Sequence, residues 1–458
     1  MTGAAVEAET GLAEAAANPH VDPRRATEWP PGPAIERPPL GLYLHVPFCI
    51  SYCPYCDFVV VAGRQARGPE SRLEVFVEAL AVELELRADA LDTRWGAPGA
   101  RSAGAQRSPA VQGSASVPGA RRSLDTLYLG GGTPSLLPST AVARLIEIVR
   151  SRFGLALDAE VTLEANPGPD ERGDAAAFRA AGVTRLSIGA QSMETAELRL
   201  LGRRHGPADV AAAVSESRAA GIESISIDLL YDIPNGSLDR WSATLDAVLA
   251  LEPDHLSLYA LTLDDPEAEG ITGPSGDHLP TPGGARRWRE RARPAQDDDR
   301  AATMYELADD RLGAAGFEWY EISNWARPGH RSRHNLGYWQ GSAWEAAGPG
   351  AHAFDGVTRR WNAARLDAYL AALLPGAGAP PSLPPGGAEP DVEGRPAEAA
   401  MLALRTNDGL PAAALADPGI GSTLEWAMTT GLVDLARGRL RLTRRGRLLS
   451  NEVFTRLL

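Results

Sequence analysis

The chain has 458 residues, 45 of them basic and all of those arginine, against 59 acidic residues and three cysteines, for a formal net charge of −14. Without lysine there is no Walker-A phosphate loop, pyridoxal Schiff base or lysine general base, and the acidic balance argues against nucleic acid as the main partner. Three cysteines in so long a chain do not read as a disulfide framework, and no run approaches the roughly 18 apolar residues that span a bilayer.

The acidic N-terminus MTGAAVEAETGLAEAAANPH lacks the basic and apolar regions of a secretory signal, so a cytoplasmic protein is expected, with peripheral membrane contact left open. Residues 1–38 are Ala/Glu/Pro-rich without periodicity and read as a disordered leader. Order begins at Leu40 with GLYLHVPF. Further strand-like segments follow at 124–131, 160–167, 185–192, 224–231 and 255–262. Between them lie helical stretches such as 71–91 and 139–153; in the latter Ala143, Leu145, Ile146, Ile148 and Val149 fall on one face. That makes six β/α units over 39–263, an α/β pattern implying a parallel sheet, open or closed into a barrel. Low-complexity inserts interrupt it at 95–123 and 264–300, the second ending in Asp297, Asp298 and Asp299. A region 301–374 precedes a Pro/Gly-rich linker at 375–394. The last segment, 395–458, reads as three short helices, a hairpin and a terminal helix, the order of a winged-helix-like α+β domain.

All three cysteines fall in one loop after the first strand, spaced C-x3-C-x2-C at Cys49, Cys53 and Cys56. Three thiolates can each bind one iron of a cubane and leave the fourth iron open for a small molecule. A zinc site with His45 as fourth ligand is the simpler alternative. The remaining strand ends carry groups suited to a nucleotide. Gly130, Gly131, Gly132, Thr133 and Pro134 end the second strand, Glu164 and Asn166 the third, Gln191 and Ser192 the fourth, and Asp228 lies on the fifth. Singly these are turn and cap residues; on one barrel rim they converge where such folds keep their sites.

The segments YLHVPFCISYCPYCDF, GGGTPS, EANP, QSM, LLGRRH and DLLYDIP resemble the oxygen-independent coproporphyrinogen III oxidase group of radical-SAM proteins. The resemblance covers about 40–458 apart from the inserts. It implies a partial (β/α)6 radical-SAM barrel, a [4Fe–4S] cluster on the three cysteines, and S-adenosylmethionine (SAM) at Tyr43, Gly131, Gly132, Thr133, Glu164, Gln191, Arg203 and Asp228. One departure is DLLYDIPNGS, where Asp232 and Asn235 stand in a loop usually richer in glycine.

Within that group the oxidases carry a fourth cysteine two positions after the third; here Phe58 stands there. With the H-N-x-x-Y-W motif at His334, Asn335, Tyr338 and Trp339, and the tail from MLALRTNDGL onward, this resembles the haem-chaperone branch. The resemblance implies haem and a haem-acceptor protein as partners, and a reductant for the cluster. His334, directly after Arg331 and Arg333, is the expected haem contact and His352 a second candidate; His45, His205 and His255 are expected to belong to the barrel. Two other readings stay open: radical decarboxylation of coproporphyrinogen III, and nucleic-acid binding by an arginine strip comprising Arg437, Arg439, Arg441, Arg444, Arg445 and Arg447.

Overall fold

The computed structural model describes residues 29–32, 34–99, 120–263, 271–376, 378–390 and 395–458. Six parallel strands, β1 (Gly41–Val46), β2 (Leu124–Gly131), β3 (Leu155–Ala165), β4 (Arg185–Gln191), β5 (Ser224–Tyr231) and β6 (His255–Ala260), lie side by side in sequence order. Such an order requires each crossover to pack a helix on the same face. Accordingly Leu42, Leu44, Leu127, Leu129 and Leu163 are fully buried, contributing about 1.5–3 kcal/mol apiece. The intervening positions, Tyr43, Tyr128, Glu164 and Asp228 among them, alternate onto the concave face. Between β2 and β3 runs the helix Ser139–Ile148, widened into a π turn at Val149–Phe153. Its buried stripe is Val142, Leu145, Ile146, Val149 and Phe153; Ala143 and Ile148, expected on that face, flank it half-buried.

The sheet stays open and grows at both edges. On one side β8 (Asn324–Ala326) adds antiparallel to β6, and β7 (Glu318–Glu321) pairs antiparallel with β8 at the edge. On the other, β9 (Trp344–Ala347) runs parallel to β1, followed by antiparallel β10 (His352–Phe354), β11 (Thr358–Asn362) and β12 (Gly386–Pro390). The C-terminal segment has its own apolar core and a three-stranded sheet of Leu410–Pro411, Val433–Ala436 and Arg439–Leu442 beside its helices.

Several segments expected to be irregular are ordered. Residues 1–28 lie outside the described residues, but within the expected leader Trp29 donates to Asp417 Oδ2 (3.1 Å) and the Arg37 amide to Asp355 O (2.8 Å). Of the insert 95–123, residues 100–119 lie outside; Ala97–Pro98 pairs with Ala120–Arg121. The insert 264–300 holds a helix, Gly283–Ala292, and its acidic run starts another, Asp298–Ala314, capped by Asp297 accepting from the Arg300 amide (2.9 Å). Carboxylates at a helix N-terminus satisfy free amides and the dipole, which explains a run that composition alone assigns to a loop. The expected linker contributes β12, whose backbone pairs with β11 although it is rich in Gly and Pro.

Candidate functional site

After β1, Phe48–Cys49 pairs with Val61–Ala62, so the chain between them closes on itself as a loop at the C-terminal end of the strands. Cys49, Cys53 and Cys56 are free and partly exposed on this loop. Cys49 Sγ lies 3.3 Å from Thr133 Oγ1; Asn166 Nδ2 donates to that same hydroxyl (3.0 Å). Arg203 reaches Asn166 Oδ1 with Nη2 and Cys53 Sγ with Nη1 (3.7 Å). One polar chain therefore ties Cys49 to Cys53 through Thr133 and Asn166, just past the ends of β2 and β3, and Arg203. Burial pushes the Cys49 and Cys56 thiols up to about 12, so a bound cation is what would make them thiolates. Among the described residues no three His, Cys, Asp or Glu side chains converge on a single-ion site. Three free thiols along one wall do suit a multi-iron cluster, which takes one sulfur per iron.

The cysteines form one wall of a cavity of about 420 Å³. Gly131, Gly132, Glu164, Gln191, Arg203 and Asp228 line the rest of it, as the sequence expected; Thr133 lies just behind, buried, and Tyr43 and His334 lie outside it. The glycines are required by packing. Gly131 has φ +109° and a Cβ there would meet the His45 ring at 2.5 Å, while one at Gly132 would sit 2.7 Å from Phe48 O. Glu164 accepts from Tyr128 Oη (2.8 Å) and the Gly131 amide (2.9 Å); Asp228 accepts from Ser187 (3.0 Å) and Ser226 (3.2 Å). Burial holds both carboxyls above their usual range, Glu164 up to about 7. Gln191 is itself in the left-handed region at φ +68°, a strained placement that turns its side chain at the strand end. Asp232 and Asn235, the departures noted in the following loop, also have positive φ, and Asp232 pairs with Arg300.

The histidines expected in the barrel are buried, His255 among the residues that line the cavity. Tyr43 Oη and Val59 O engage the two nitrogens of His45 (3.0 and 2.8 Å), and burial lowers its pKa to about 4. It has no lone pair left for the zinc alternative. His205 and His255 are likewise buried and hydrogen-bonded, as expected. His334 departs from expectation. It opens the short helix Arg333–Trp339, whose first amides are accepted by Glu160 (3.0 Å each). Its Nδ1 meets Thr126 Oγ1 and its Nε2 Tyr338 Oη, both at 2.8 Å, its ring is 5.0 Å from that of Tyr128, and burial drops its pKa to about 3. With 4% exposure it offers no free nitrogen to haem iron: the helix turns the motif inward against β1 and β2. His352 is half-exposed, 3.0 Å from Asp277 Oδ2 and stacked on Trp361.

Phe58, 62% exposed, sits on the cavity rim. The arginine strip is largely spoken for: Arg444 and Arg447 pair with Asp309 of the core, Arg439 donates to Gly409 O and Arg445 to Thr430 O. Sequence reasoning missed Tyr128, Ser187 and Ser226 as partners of the carboxylates. Their signal was a polar side chain at an inward position of an otherwise apolar strand.

Residues 117–248 match the Radical SAM superfamily and residues 391–449 the HemN C-terminal domain. The chain is 41% identical over 421 residues, 92% of its length and 95% of the relative's, to "Heme chaperone HemW" of Mycobacterium tuberculosis. It is 34% identical to "Heme chaperone HemW" of Escherichia coli, covering 69% and 71% of the two chains. To the mouse "Radical S-adenosyl methionine domain-containing protein 1, mitochondrial" it is 35% identical, covering 70% and 62%. In fold it is similar to coproporphyrinogen III oxidase (HemN) from E. coli, with TM-score 0.69, 22% identity and coverage of 95% and 92%.

Proposed function

The chain belongs to the heme chaperone HemW branch of the radical SAM superfamily, and from that premise we propose that it binds haem and passes it to an acceptor protein, holding a [4Fe–4S] cluster and SAM. The observation that carries the reading is the cavity wall of three free thiols with Phe58, not a fourth cysteine, on its rim. When bound, the cluster and SAM supply one-electron chemistry, with the electron coming from an external reductant. Cys49, Cys53 and Cys56 hold the cluster. Gly131 and Gly132 would present bare backbone to the methionine end of SAM, Glu164 and Asp228 would accept from ribose hydroxyls, and Gln191 and Arg203 would orient the remainder. Tyr43 and Thr133 support this set from behind. Tyr43 fixes the His45 ring against the glycine turn, and Thr133 joins Cys49 to Asn166.

For haem, His352 offers an accessible imidazole as folded, whereas His334 would have to leave Thr126 and Tyr338 first. The test is anaerobic. Protein reconstituted with iron and sulfide is given coproporphyrinogen III, SAM and a reductant, and haem is titrated separately into the wild type, His334→Ala and His352→Ala. Haem binding without porphyrinogen turnover is expected, weakened most in His352→Ala. Protoporphyrinogen formation would overturn the carrier reading in favour of the oxidase. No haem binding by the wild type would overturn it outright. The working compartment is proposed to be the cytoplasm; no described helix is long and apolar enough to cross a membrane.

A further inference from the structure

The segment 264–300, which interrupts the alternation of strands and helices, reaches back to the cysteine loop. Arg289 extends from the helix Gly283–Ala292 with its side chain 4% exposed. Nε donates to Pro54 O (3.0 Å), and Nη2 donates to Cys56 O (3.0 Å) and to Asp57 Oδ1 (2.5 Å). These are backbone and carboxylate acceptors in the stretch that carries Cys53 and Cys56. Tyr52 Oη donates to the same Cys56 carbonyl (3.0 Å). The helix itself is fixed to the strand ends: Ala292 and Trp288 pack with Tyr55, Leu230 and Leu261, and Arg293 donates to Leu263 O (2.5 Å).

We infer that Arg289 is a positioning residue for the cluster, clamping the Pro54–Asp57 backbone and fixing a positive charge against the loop that bears two of the three thiols. The inference rests on the cluster reading above. A guanidinium suits the task because its rigid fork serves several acceptors at once; an ammonium is a point donor on a flexible stem. A buried cation beside the loop also favours the more negative, reduced state of a bound cluster, since net charge and hydrogen bonding set such potentials. Clamp and charge are separable by substitution. Arg289→Gln removes both, and Arg289→Lys keeps the charge while losing the fork.

The chain's cysteines are all in this loop, so bulk alkylation of the metal-free protein reads the loop alone. In full-length protein with wild-type circular dichroism, Arg289→Gln is expected to be alkylated about tenfold faster, the local opening that a lost charge-assisted hydrogen bond of ordinary strength permits. Arg289→Lys should fall between the two. An Arg289→Gln rate equal to wild type would overturn the clamp. Should Arg289→Gln fail to fold, Asp57→Ala removes the carboxylate contact at a half-exposed side chain. A rise of about threefold is then expected, and no rise overturns the clamp. After anaerobic reconstitution, the cluster's midpoint potential should shift negative in Arg289→Gln and stay near wild type in Arg289→Lys; an unshifted Arg289→Gln overturns the charge role. A wild type that takes up no cluster refutes the cluster reading instead, and the alkylation rates still decide the clamp.

Discussion

Glu164 concentrates the electrostatics of the cavity. Desolvation, with Asp228 adding to it, lifts its carboxyl from an ordinary 4.5 to about 7 although Tyr128 and the Gly131 amide both donate to it. A carboxyl raised on folding binds its proton more tightly in the native state, so its contribution to stability is present at low pH. That contribution fades as pH rises from about 4.5 through about 7. Buried His45 and His334 act oppositely. Their lowered pKa values, about 4 and about 3, cost stability as pH falls below 6.5. Glu164→Gln removes only the first effect. Urea unfolding at pH 5 and pH 8 should show wild type losing about 1–3 kcal/mol more than Glu164→Gln across that interval, whatever fixed penalty the amide carries. Parallel curves for the two proteins would refute the assignment. The pair also shows what spacing reveals. Cysteines within a span of eight residues, and polar residues at strand ends, are local patterns, and they fell where expected. His334 is equally local as a motif, but its inward orientation depends on Thr126 and Glu160, far away in sequence.

At the scale of elements, the helix Arg333–Trp339 joins two bodies. Its first turn is fixed to β2 and β3 through Thr126 and Glu160, and its last residue, Trp339, lies under the Arg405 guanidinium (4.3 Å from the ring centre), just past the helix Arg395–Leu404. Ser332 and Asn335, at the start of the same helix, line the cavity. A change in the cavity and a change in the C-terminal domain therefore meet on one element. Trp339→Ala should cost about 1–3 kcal/mol, combining lost apolar area with a cation–π contact, and should speed hydrogen exchange in 395–458 while leaving cluster absorbance intact. Equal exchange rates would mean the docking rests elsewhere. The strands β1 to β6 were legible because β-rich segments with apolar residues at alternate positions recur between helical stretches. By contrast β7 to β12 were not, being only three to five residues long, and β12 lies in a Gly/Pro-rich stretch that reads as linker. The helix Gly283–Ala292 was hidden because five of its ten residues are charged, which composition assigns to solvent.

Over the whole molecule, the sequence marks the C-terminal domain as separate and the structure docks it. The two apolar cores are joined across Asp309, whose carboxylate takes Arg447 at 2.6 Å, Arg444 at 2.9 Å and the Trp325 indole at 2.9 Å. Burial works against ionising Asp309, but Arg447 and Trp325 outweigh it and hold its pKa below the ordinary 3.8; the pairing is lost only under acid below that value. The Arg447 side chain is 8% exposed and stacks 4.5 Å over the Trp319 ring, so it cannot turn to water when its partner is removed. Asp309→Ala should therefore cost about 3–5 kcal/mol, the penalty of leaving a buried charge uncompensated, far more than a surface ion pair is worth. Because the loss falls between two cores that each have their own apolar centre, thermal unfolding should divide into two transitions, the C-terminal one first. Asp310→Ala touches only the exposed contact with Arg444 and serves as control, with an expected change under about 1 kcal/mol. If Asp309→Ala unfolded in a single transition at the wild-type temperature, the domains would be held by something other than this charge.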